Sequence, residues 1–99
     1  MGFFDFMQDA IAIDLGTANT LIIHNDKVVV DQPSIVAKNI RTGEIVAIGK
    51  RAQQMHGKTH KEIETIRPLK NGVIADFQSS EQMIIGFINM IQRKRSVFS

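Results

Sequence analysis

Apolar positions along this chain follow a helical spacing at its two ends and an extended spacing between them. At the start, Phe3, Phe4, Phe6, Met7, Ala10 and Ile11 would fall on one helical arc about 160° wide, with Asp5, Gln8 and Asp9 opposite. Residues 10–14, 20–24 and 27–31 then read as strands. A small-residue turn at 15–19 joins the first two, and Asn25-Asp26 joins the next two. Val28, Val29 and Val30 in succession predict a strand buried on both faces. Pro33 breaks that pattern.

Residues 34–38 and 44–48 predict a second hairpin around Arg41-Thr42-Gly43. A short helix is expected over 50–56, ended by Gly57, then a strand over 62–66 halted by Pro68. Lys70-Asn71-Gly72 is a turn signal before a brief extended piece at 73–75. The clearest helix comes last. Ser79 with Gln82 fits a capping box, and Met83, Ile84, Phe87, Ile88, Met90 and Ile91 make one apolar stripe. Arg93, Lys94 and Arg95 sit where the helix dipole favours cations, and residues 97–99 begin something extended.

Composition narrows the reading. With 99 residues, 43% hydrophobic and 22% charged, the chain has the balance of an ordinary globular domain. A net charge of +2 and the absence of Trp and Tyr argue against a nucleic-acid partner. Without cysteine there is no disulfide and no thiolate metal site, which is compatible with a reducing cytoplasm. No apolar run approaches the roughly 20 residues of a membrane-spanning helix, and no secretory signal opens the chain.

The run that carries chemistry is residues 11–23, two apolar strands around Asp14-Leu15-Gly16-Thr17-Ala18-Asn19-Thr20. This layout suits a polyphosphate. Gly16 and Ala18 let backbone come close, successive amides can face anionic oxygens, and a threonine hydroxyl adds a donor. Asp14 is placed to hold Mg²⁺ through water, because magnesium sheds its hydration reluctantly. An ordinary glycine-containing hairpin is the alternative, and Asp-x-Gly-Thr alone would not decide between them.

The hairpin resembles the first phosphate motif of the actin, sugar-kinase and heat-shock chaperone ATPase superfamily. Its Asp14 to Thr20 run is similar in particular to the MreB family of bacterial actins. Val30-Asp31-Gln32-Pro33-Ser34-Ile35-Val36-Ala37, Val46-Ala47-Ile48-Gly49 and the run Ile66-Arg67-Pro68-Leu69-Lys70-Asn71-Gly72-Val73-Ile74-Ala75-Asp76 carry the same likeness.

The resemblance implies an α/β chain that is part of an actin-like, ribonuclease H-like ATPase fold. Residues 10–32 would give the first strands and phosphate hairpin, 33–75 a small inserted subdomain, and 76–99 a helix returning to the first strands. It also implies ATP and Mg²⁺ as ligands, with Gly16, Thr17, Ala18, Asn19 and Thr20 cradling the β- and γ-phosphates and Asp14 beside the metal. Filaments of like protomers under the inner membrane, organising cell-wall synthesis and elongation, would set cell shape. The expected location is therefore cytoplasmic and peripheral to that membrane, with the cell-wall elongation machinery as partner. The remaining walls of such a site lie in sequence beyond Ser99. The chain thus reads as an N-terminal fragment without ATPase activity of its own, weak or inert toward ATP, and expected to be molten or aggregating alone.

Residues 1–9 form a separate amphipathic tail. Phe3, Phe4, Phe6 and Met7 suit an in-plane membrane anchor; a disordered start or a cap on the protein's own core is the alternative. Other features carry less. Residues 43–51 have five positions between glycines rather than four and Arg51 where a Walker A loop needs a hydroxyl. His56 and His60 have metal-clamp spacing, but Gly57 disfavours the helix and no third ligand is evident. Residues 50–61 read as a wet surface. The rival functions are a sugar or acetate kinase or chaperone ATPase of the same superfamily, and a stand-alone membrane-binding domain.

Overall fold

Two-residue turns and short apolar runs build three small antiparallel sheets, and one long helix packs against them. The computed structural model describes residues 11–58 and 61–98. The tail bearing Phe3, Phe4, Phe6 and Met7 lies outside the described residues, as does His60.

The first sheet has the order β1-β2-β3, from β1 (Ile11–Leu15), β2 (Asn19–His24) and β3 (Lys27–Pro33). Asn25 and Asp26 turn the chain with φ of 51° and 64°, the left-handed pair that a tight hairpin demands. Three valines in a row do not bury both faces of β3. Val30 pairs with Ile22 and Val28 with Ile23, so a β-bulge leaves Val29 unmatched. Val28 ends 58% exposed while Val30 is buried.

The second sheet has the order β5-β4-β6, with β4 (Val36–Asn39) central between β5 (Ile45–Ile48) and β6 (Ile63–Ile66). Between β5 and β6 runs the short helix α1 (Lys50–Met55). His56 lies just past α1 in extended backbone, and its Nδ1 is hydrogen-bonded to Thr65 Oγ1. The described polar residues of 50–61 are mostly exposed, as a solvated surface requires.

A third, two-stranded sheet pairs β7 (Leu69–Lys70) with β8 (Val73–Ile74) across Asn71-Gly72, another left-handed pair. The helix α2 (Phe77–Phe98) follows. Its cap is Asp76, not Ser79. Asp76 Oδ1 accepts the Ser79 amide at 3.1 Å, while Ser79 itself is buried. At the far end α2 continues through Phe98, where the sequence predicted an extended start.

Met83, Phe87 and Ile91 of α2 form one buried cluster with Ile22, Val30, Val36 and Leu69. The predicted stripe is therefore the core face of the helix. A smaller cluster, Ile35, Ala37 and Ala52, holds α1 on the second sheet.

Candidate functional site

The β1–β2 hairpin closes with Leu15 opposite Thr20, and residues 16–18 make its turn. Gly16 is required there. Its amide donates to the Asn19 carbonyl at 3.1 Å, and a Cβ on Gly16 would stand 2.7 Å from that same oxygen. The turn is tied to β3's exit as well, because the Ser34 amide donates to the Ala18 carbonyl at 2.8 Å.

A buried chain of hydroxyls runs beneath it. Ser34 Oγ donates to the Gly16 carbonyl at 2.7 Å, and Thr20 Oγ1 lies 2.8 Å from Ser34 Oγ. A serine hydroxyl has one proton, so Thr20 is the donor to Ser34. Thr20 is fully buried. Its side chain therefore supports the turn from inside, bonded to Ser34.

Other predicted residues face outward. Ala18 and Asn19 are exposed, and Gly16 and Thr17 half-buried. The amides of Thr17 and Ala18 donate to no acceptor among the described residues. Thr17 Oγ1 accepts the Gly72 amide at 2.6 Å, which leaves its own proton available. Asn19 Nδ2 donates to Asp31 Oδ1 at 3.4 Å.

Asp14 is exposed at the end of β1 and forms no ion pair among the described residues. It pairs in register with Leu21, which pairs in turn with Asp31, so both carboxylates share one sheet face with Leu21 between them. Among the described residues, no three His, Cys, Asp or Glu side chains gather as metal ligands. The donor set is a lone carboxylate beside open amides. That donor set would suit a largely hydrated ion, and it does not suit an all-protein cage.

Ser34 and Gly72 escaped the motif reading as site residues. The one signal for Ser34 is a hydroxyl next to the apolar run 35–37. For Gly72 it is a turn signal with no hint of its neighbour.

Comparison with known proteins agrees over nearly the whole chain. The MreB/Mbl protein family model matches residues 8–99. The chain is 49% identical over 95 residues to the cell shape-determining protein Mbl of Bacillus cereus, covering 95% of this chain and 28% of that protein. Against the cell shape-determining protein MreB of Haemophilus influenzae it is 49% identical over 86 residues, covering 82% and 24%. Among solved structures, MreB5 of Spiroplasma citri bound to ADP superposes with a TM-score of 0.75 at 38% identity, over 85% of this chain and 26% of that one. The same protein bound to AMPPNP gives 0.72 at 41% identity, over 78% and 23%. This chain thus spans about a quarter of the length of the relatives it matches.

Proposed function

The chain belongs to the MreB/Mbl family, and from that premise we propose that it supplies the phosphate-gripping hairpin of an ATP-binding bacterial actin that sets cell shape. Its mixed α/β architecture is part of the actin-like fold, and family membership displaces the kinase and chaperone alternatives.

The observation that carries the nucleotide reading is a turn whose Thr17 and Ala18 amides, like the nearby Asp14 carboxylate, have no partner among the described residues. The amides and the free proton of Thr17 take phosphate oxygens, Gly16 sets the tight backbone, and Asn19 borders the turn. Asp14 would hold Mg²⁺ through water, and that ion would supply positive charge beside the phosphates. Support comes from MreB5 of Spiroplasma citri, crystallised with AMPPNP and with ADP. The hairpin alone offers a few hydrogen bonds of about 0.5–1.5 kcal/mol each, somewhat more when charge-assisted. That is too little for tight binding, so these 99 residues by themselves bind ATP weakly or not at all.

The test is titration of a fluorescent ATP analogue into a family-length polypeptide carrying this sequence. Gly16→Ala should weaken binding by about tenfold or more, because its Cβ meets backbone. Asp14→Asn should weaken binding with Mg²⁺ and leave Mg²⁺-free binding nearly unchanged. Unaltered affinity in both variants would overturn the assignment.

Assembly and membrane contact complete the reading: protomers polymerise on the inner-membrane surface in the cytoplasm and organise the cell-wall elongation machinery. Phe3, Phe4, Phe6 and Met7 insert into the interface, at about 1.5–3 kcal/mol for each buried phenylalanine before ordering costs. The tail has no Lys or Arg, so binding rests on insertion and should survive moderate salt. Replacing the three phenylalanines by Ser should abolish liposome co-sedimentation; persistence of binding would count against the anchor.

A further inference from the structure

A cleft away from the hairpin runs between β5 and α2. Two adjoining cavities of about 340 and 390 Å³ share Ile45 and Gln82 and form one groove. Its helix wall runs from Gln78 through Ile85 and Met90 to Arg93. These sixteen residues of helix span about 22 Å, the length of six or seven residues of extended chain.

The opposite wall is β5, which lies at the edge of its sheet. Among the described residues, one side of β5 has no neighbouring strand to take its backbone groups. The lining between the walls is mixed, with Val46 and Ile85 exposed and Ile45, Ile48 and Met90 half-buried among polar groups.

Charge along the groove is one-sided. Lys38 lines one end, Arg51 and Arg93 line the other, and Glu44 is the single carboxylate among the lining residues. Neither arginine has an acidic partner among the described residues.

We infer that this groove binds an extended acidic segment of a partner protein, which adds as a strand to β5. Its alternate apolar side chains pack on Val46 and Ile85 while its carboxylates meet Arg51 and Arg93. The open backbone edge favours a peptide, and the length and charge favour an acidic strand of about seven residues.

The test uses a fluorescein-labelled seven-residue peptide alternating glutamate and valine, titrated by fluorescence anisotropy into the family-length protein. Saturable binding is expected, weakened several-fold by moderate salt and at least tenfold by combined Arg51→Glu and Arg93→Glu. Both arginines are exposed and lie outside the nucleotide hairpin, so nucleotide affinity of that variant should not change. Methylating alternate backbone nitrogens of the peptide should abolish binding. The inference is overturned by no binding, as when the rest of the chain or a second copy covers the groove. Equal binding of a lysine–valine peptide or of the methylated peptide, or indifference to the charge reversal, would overturn it equally.

Discussion

Thr17 Oγ1 and the Gly72 amide meet at 2.6 Å although 55 residues separate them in sequence. The bond joins the tip of the β1–β2 hairpin to the β7–β8 turn. From that turn the chain continues through β8 to Asp76, the cap of α2. The runs 14–20 and 66–76, distant in sequence, therefore form one structural unit.

Replacing Thr17 by Val removes the acceptor and should cost about 1 kcal/mol. Thr17→Ser keeps the oxygen and should cost less. Amide hydrogen exchange at Gly72 in the family-length protein checks this, with faster exchange expected in the Val variant only.

The relay from Thr20 through Ser34 to the Gly16 carbonyl should respond unequally to its two deletions. Thr20→Val strands one lone pair on Ser34. Ser34→Ala leaves both the Thr20 hydroxyl and the Gly16 carbonyl without the Ser34 partner. At about 1–3 kcal/mol for a buried group left unpaired, Ser34→Ala should lower the urea midpoint more than Thr20→Val.

Two glycines make a contrasting pair. Gly49 has φ +63°, and a Cβ there would collide with Gln32 Oε1 and stand 3.0 Å from the buried Phe87 ring. Gln32 Oε1 also accepts the Lys50 amide at 2.8 Å, so moving it uncovers the start of α1. Gly49→Ala should destabilise by about 1–3 kcal/mol. A Cβ on Gly86 meets only the flexible end of Ile48. There the helix gains about 1 kcal/mol from alanine, so Gly86→Ala should be neutral or stabilising in a urea melt.

Asp76 predicts a pH dependence. The Ser79 amide, bonded to its carboxylate, holds its pKa below the ordinary aspartate value. Because the folded pKa is the lower one, unfolded chain takes up the proton first. Stability from this cap is complete near neutrality, starts to fall as pH enters the ordinary aspartate range, and is gone below the lowered folded value. Asp76→Ala should cost about 1 kcal/mol at pH 7 and flatten part of the acid limb of a stability–pH curve.

Local chemistry made much of this fold legible. Asn25-Asp26 and Asn71-Gly72 announce left-handed turns because Asn, Asp and Gly tolerate positive φ, and the stripe 83–91 announces a core helix by its period. What stayed hidden needed a partner from elsewhere in the chain. The bond between the Thr20 and Ser34 hydroxyls has no local signal, because 14 residues separate the two. The valine run looks doubly buried until a bulge rotates Val28 outward. Ser79 looked like the cap because Phe77, 71% exposed in the first turn, gave no helical signal of its own.

The cluster that seats Phe87 takes Ile22 from the first sheet, Val36 from the second and Leu69 from the third. A shared hub of this kind leaves little freedom to insert or delete residues between its spokes. Length variation among relatives should accordingly concentrate at the hairpin tips, residues 25–26 and 41–43, which lie outside that cluster. The tip at 71–72 is the exception, because its amide is already committed to Thr17.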